Sequence, residues 1–73
     1  MKHILLKFSR IGSVAYSNDA KMLEVKFNDG TTLQYLDVPS TVYFSLINAY
    51  SHDSYFEKYI APVYKYIRKT FFR

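Results

Sequence analysis

Two alternating runs meet at Asn28-Asp29-Gly30, and this hairpin limits what the chain can fold into more than any other feature. Met22-Leu23-Glu24-Val25-Lys26-Phe27 and Thr31-Thr32-Leu33-Gln34-Tyr35-Leu36 flank the turn. Their period of two reads as half-buried strands. A two-residue Asp29-Gly30 loop would pair Lys26 with Leu33 and Glu24 with Tyr35, mixing polar and apolar residues on each face. A type I turn with Gly30 as the left-handed bulge residue pairs Phe27 with Thr31 instead. Val25 then faces Leu33, and Leu23 faces Tyr35. One face collects Leu23, Val25, Phe27, Leu33 and Tyr35. The other collects Glu24, Lys26, Thr32 and Gln34. A one-residue slip scrambles both faces, so the bulged register is expected.

Other elements follow from local signals. Ile11-Gly12-Ser13-Val14-Ala15-Tyr16 reads as a preceding strand, joined to the hairpin through Ser17-Asn18-Asp19. Residues 3–8 read either as a further strand or as an N-terminal arm. Val38-Pro39 switches the chain from sheet to helix, with Ser40 and Thr41 as start signals. Val42, Tyr43, Leu46, Ile47, Ala49 and Tyr50 recur at helical spacing, a stripe suited to covering the sheet. Ser51-His52-Asp53-Ser54 breaks this helix and caps a second, with Tyr55, Phe56, Tyr59 and Ile60 as its apolar positions. Pro62 ends or kinks that stretch. A last helical segment is expected over residues 63–72.

The expected fold class is therefore α+β. It is an antiparallel meander of three strands, four if residues 3–8 pair, with two or three helices packed on one face. At 73 residues the chain is one domain, 1–73. A chain this short hides only about 60% of its unfolded surface, which excludes a doubly wound sheet and a large enclosed active site. Cys is absent, so there is no disulfide framework and no thiolate metal site. The apolar start after Lys2 stops at Lys7, too short for a signal peptide, and no run reaches membrane-span length. These features suggest a cytoplasmic protein of a reducing compartment, with no membrane partner. Charge is uneven. Residues 1–10 hold Lys2, Lys7 and Arg10 and no acid; the middle holds all six acidic residues; residues 58–73 hold Lys58, Lys65, Arg68, Lys69 and Arg73 and no acid. Such asymmetry points to a polyanionic partner, although a solvated helix face would give the same pattern.

The ordered series of residues resembles the KTSC domain, a small module named after the C-terminus of some lysyl-tRNA synthetases and also found free-standing in bacteria and phages. Ser9 and Ile11 stand at its start, and Val14-Ala15-Tyr16 where Ile-Gly-Tyr is expected. Leu23, Val25, Phe27 and Gly30 follow in place. Leu33 and Tyr35 occupy a Tyr-x-Tyr pair whose first Tyr is lost. Val38-Pro39, Tyr43, Ala49, Ser51, Phe56 and Ile60 complete the series, and Asp53 replaces a Gly. The resemblance spans about residues 9–67. It implies a small α+β domain, a cytosolic setting, no assigned catalytic activity, and RNA binding through association with a tRNA enzyme.

Candidate chemistry is sparse. Ser51-His52-Asp53 has the letters of a hydrolase triad, but adjacent side chains diverge, so a capping loop is the expected role. His3 and His52 have no sequence neighbours that build a metal site. Asp53 and Glu57 lie four apart without a third ligand and read as helix N-terminal charge. Neither catalytic residues nor a cofactor are expected. Tyr35, Tyr43 and Tyr50 are expected as packing residues. In the tail, Tyr64 and Tyr66 interleave with Lys65, Arg68, Lys69 and Arg73. Cations that track phosphates beside rings that stack on bases follow the logic of single-strand binding; an amphipathic helix docked by its aromatics is the competing role. The leading expectation is a non-enzymatic module for RNA or another polyanion. The alternatives are a protein-interaction or self-association module, with Phe71 and Phe72 as contacts, and a phage-encoded sponge for a nucleotide or inhibitor of a host factor.

Overall fold

The chain reverses at Gly30, whose φ of +95° suits glycine and strains other residues. Phe27 N–H donates to Thr31 C=O at 2.8 Å, and Gly30 N–H to Phe27 C=O at 3.0 Å. These bonds close the bulged loop that the face-sorting argument selects. In this computed structural model, which describes residues 2–69, the elements are β1 (Ile4–Leu5), β2 (Ile11–Ser17), β3 (Met22–Phe27), β4 (Thr32–Tyr35), α1 (Ser40–Ile47), α2 (His52–Tyr59) and β5 (Tyr66–Lys69). The strands form one antiparallel sheet in the order β1-β2-β3-β4-β5. In the β3–β4 hairpin Leu23 faces Tyr35, Glu24 faces Gln34, Val25 faces Leu33 and Lys26 faces Thr32.

Gly12 supplies a second irregularity. Ile11 pairs with Phe27 but Ser13 pairs with Lys26, so one extra residue sits in β2. This bulge puts Ile11 and Val14 on the same face although they are three residues apart. A Cβ at Gly12 would stand 2.7 Å from Asn28 Oδ1, so a side chain there would have to push the Asn28 amide aside.

One sheet face is covered. Ile11, Val14, Leu23, Val25 and Tyr35 meet Val38, Tyr43, Leu46, Phe56 and Ile60 in the core. Tyr16 and Tyr43 stack at 5.3 Å, and Phe56 meets Phe27 and Tyr35 edge-on at 5.6 Å. Helix α1 begins directly after Pro39, as the Val38-Pro39 signal predicts. It ends at Ile47 with Asn48 as C-cap: Asn48 gives both main-chain and side-chain N–H to Phe44 C=O, and Ala49 N–H reaches back only three residues, to Leu46 C=O. The apolar stripe therefore does not extend to Tyr50, which is 98% exposed rather than packed over Tyr35. Helix α2 is capped by Ser51, whose hydroxyl accepts from Ser54 N–H at 3.2 Å. Its Tyr59 is exposed, leaving Phe56 and the following Ile60 to reach the core.

Two expectations are corrected. Among the described residues the sheet has five strands rather than three or four: residues 4–5 pair with β2 as the fourth strand that residues 3–8 allowed, and Tyr66–Lys69 adds a fifth. Of the helix expected over 63–72, residues 70–72 lie outside the described residues, and within the rest Tyr66–Lys69 is β5, with Tyr66 opposite Tyr35, Ile67 opposite Gln34, Arg68 opposite Leu33 and Lys69 opposite Thr32. The reason is backbone accounting. Without β5, one edge of β4 would have no ladder partner. Tyr66 and Ile67 are strand formers, and a helix with only Val63, Tyr66 or Ile67 inward would bury little.

Gly30→Val should lower stability by about 1–2 kcal/mol, because a β-branched residue resists positive φ. Chemical denaturation checks this. An unchanged midpoint would contradict the turn geometry.

Candidate functional site

Strand β5 forms one edge of the sheet, and all four of its residues are exposed. Strand alternation divides the basic aromatic stretch. Tyr66 and Arg68 point to the helix-covered side, with Tyr66 resting on Tyr35 at 5.3 Å. Ile67 and Lys69 point to the opposite, open face. Tyr66 remains 54% exposed and Ile67 52%. Tyr64 is half-buried against the core, and Lys65 C=O accepts from Leu36 N–H at 2.8 Å. Tyr64 and Lys65 also border a shallow cavity of about 280 Å³ with Leu36, Asp37 and Val63. Burial, then the neighbouring Tyr66, pushes the Tyr35 phenol up to about 12, so it stays neutral under ordinary conditions.

The open face carries a polar network that local sequence spacing does not reveal. His3 folds onto it from the N-terminal arm. Its Nδ1 lies 2.8 Å from Ser13 Oγ and its Nε2 2.6 Å from Glu24 Oε2. Gln34 donates to the other Glu24 oxygen at 2.8 Å. Burial alone would raise the Glu24 carboxyl, but hydrogen bonds from Gln34 and His3, with the charges of His3 and Lys69, hold it below its ordinary value. The linkage has the order of a serine–histidine–acid relay. Ser13, however, is only 7% exposed and gives a substrate little access. The network fastens the arm to the sheet. One row of this face runs Ser13, Lys26, Thr32, Lys69, so Lys26 and Lys69 stand two strands apart, roughly 10 Å.

At the far end, the β1–β2 loop is tied to α2. Ser9 Oγ donates to Asp53 Oδ1 at 2.7 Å, and Arg10 N–H donates to both Asp53 oxygens at 3.2 Å. The Arg10 guanidinium pairs with Glu57. The Ser9 hydrogen bond is the main cause holding the Asp53 carboxyl below its ordinary value, with help from the main chain and charge of Arg10. Asp53 and Glu57 thus act as anchors for a loop. Arg10 also borders a cavity of about 320 Å³ with Phe27, Asn28 and Asp29. The members of Ser51-His52-Asp53 go separate ways: Ser51 caps α2, the His52 ring bonds Leu46 C=O at 2.8 Å, and Asp53 holds the loop.

The expected nucleic-acid residues are only partly gathered. Lys65, Tyr66, Arg68 and Lys69 share one edge, but Tyr66 and Arg68 lie on one side of it and Lys69 on the other. Tyr64 is drawn toward the core. Arg73, Phe71 and Phe72 lie outside the described residues. The motif positions are structural. Tyr35, Val38 and Phe56 are buried, Leu33 packs against the core, Tyr16 donates its hydroxyl to Val38 C=O, and Pro39 and Ser51 start the helices. Sequence reasoning missed His3, because its partners lie 10 and 21 residues away. Among the described residues no group of three His, Cys, Asp or Glu side chains could hold a metal, and no helix is long and apolar enough to cross a membrane.

Comparison with known proteins agrees with this geometry. The KTSC domain family model matches residues 8–64. An uncharacterized protein of Stutzerimonas stutzeri (strain A1501) is 33% identical over 69 residues, covering 93% of this chain and 97% of its own. The crystal structure of a KTSC domain protein from Yersinia pestis superimposes with a TM-score of 0.87 at 30% identity, covering 94% of this chain and 97% of the other.

The Ser9–Asp53 tie has a pH signature. A lowered carboxyl pKa stabilises the fold fully above the ordinary value of 3.8, and this contribution is lost as the pH falls below it. Asp53→Asn should cost about 1 kcal/mol or less at neutral pH, because the site is partly open to water. The gap from the parent protein should shrink in acid. Denaturation midpoints at neutral pH and below 3.8 test this; an equal gap at both would show that the charge of Asp53 contributes nothing.

Proposed function

The chain belongs to the KTSC domain family, and from that premise we propose that it is a small non-enzymatic cytoplasmic binding module whose partner is anionic. The observation that carries this reading is how the charges are used. Glu24 is bonded by His3 and Gln34, Asp29 accepts from Thr31 N–H, and Asp53 and Glu57 hold Arg10. Four of the acids are thus engaged within the fold. Lys2, Lys7, Lys21 and Lys58 have no carboxylate within ion-pair distance among the described residues, and neither do Lys26, Lys65, Arg68 and Lys69. The last four collect on β5 and the adjoining open face. Glu24 and Asp29 offset them only in part, through the nearby Lys69 and Arg68. RNA or another polyanion and an acidic protein segment both match that surface.

The non-enzymatic assignment rests on the two serine–histidine–acid groupings. In one the side chains diverge, and in the other the serine is buried. Neither offers an accessible nucleophile beside its base.

Replacing Lys65, Arg68 and Lys69 together by Gln should weaken retention on a heparin column and binding to a labelled single-stranded RNA. For every phosphate left without its cation, the log–log salt dependence should flatten by about 0.7. Identical retention, affinity and salt slope for parent and triple variant would remove β5 from the reading.

A further inference from the structure

The anionic partner of the β5 edge, on the reading just given, has a more specific chemistry. Leu36 N–H donates to Lys65 C=O, and the β4–β5 pairing continues in that register as Gln34 with Ile67 and Thr32 with Lys69. In an antiparallel ladder, alternate residues direct both backbone groups to the same neighbour. Lys65, Ile67 and Lys69 therefore turn their main chain toward β4. Tyr66 and Arg68 turn theirs outward, where no described residue pairs with them. The strand has no proline, so both outward N–H groups are available.

The side chains on this edge select what can pair with it. Along the strand they run Lys65, Tyr66, Ile67, Arg68 and Lys69. Directly opposed residues interact most strongly, and like charges so placed are destabilising. A second copy paired antiparallel about Ile67 sets Lys65 against the other chain's Lys69, and paired about Arg68 sets two guanidinium groups together. Cations on an edge strand keep basic and neutral strands away, and the same cations admit an acidic one. The split of Tyr66 and Arg68 from Lys69 across two faces also removes the continuous ring-and-cation track that a single nucleic-acid strand follows. At the opposite edge β1 has two residues, too few to be an equivalent template.

We propose that β5 receives an extended acidic polypeptide segment as a sixth, antiparallel strand. Main-chain bonds to Tyr66 and Arg68 supply the pairing, and carboxylates opposite Lys65, Arg68 and Lys69 supply the selection. Cross-strand order then asks for two acids, two apolar residues and an acid, read along the incoming segment.

The test uses the full chain with a capped Thr-Glu-Glu-Val-Val-Glu-Thr peptide, and the same peptide N-methylated at the residues that pair with Tyr66 and Arg68. Amide hydrogen exchange is read residue by residue. In the free protein Tyr66 and Arg68 should exchange fast while Ile67 is protected. With the first peptide near ten times its Kd, protection at Tyr66 and Arg68 should rise about tenfold. The N-methylated peptide should give none. Binding of polyphosphate or single-stranded RNA at the β5 cations, without peptide-induced protection of those amides, would overturn strand addition and leave the anionic reading standing. Absence of binding by peptide, polyphosphate and RNA alike would overturn both.

Discussion

The Phe27–Thr31 closure sets the register on which the rest of the molecule depends. Gly30 takes a conformation open to few other residues, and its turn places Leu23, Val25, Leu33 and Tyr35 on a single face. The Gly12 bulge brings Ile11 and Val14 to that face from β2. Two helices of eight residues can cover one side of such a sheet, and they cover the side that the turn made apolar. Strand β5 then takes its register from β4, so the turn at Gly30 also decides which way Arg68 and Lys69 point.

One-sided cover leaves the other sheet face with polar residues and few means of shielding them. His3 answers part of this need by joining Ser13 to Glu24, while Gln34 takes the remaining carboxylate oxygen. Buried polar atoms are costly unless paired, and among the described residues no buried side-chain nitrogen or oxygen lacks a partner. The same economy shapes the charge pattern. Acids are drawn into fastening the arm, the β1–β2 loop and the hairpin tip, whereas the β5 cations stay at the rim.

The hairpin, its register and both helix starts were legible in the sequence because they are local. Gly30, Pro39 and Ser51 act through bonds within a few residues. The last segment is ambiguous in sequence because Tyr66-Ile67-Arg68-Lys69 fits either period over so short a span. What decides it is the open side of β4, more than thirty residues earlier, which local pattern cannot weigh. Tyr50 stands away from the core for a smaller reason: the chain leaves the helix at Asn48, although the apolar spacing runs on. The surface cluster at β5 was named by its residue types, but its division between two faces follows only from the strand. The His3 network was hidden by sequence distance.

The family match covers residues 8–64, and most of the motif positions within it are core or capping groups. Tyr16 against Tyr43, Phe56 between Phe27 and Tyr35, and Val38 bonded to Lys21 C=O define a scaffold rather than a ligand site. The basic strand begins just past that match. Resemblance to the family therefore accounts for how β2 to β4 and the two helices assemble, and β5 lies outside the matched stretch. Strand β5 has one edge paired with β4, and its four side chains are exposed. Changes at Ile67, Arg68 and Lys69 leave the packed core untouched, whereas Tyr66 rests on Tyr35, so of the four only Tyr66 belongs to both the edge and the core packing.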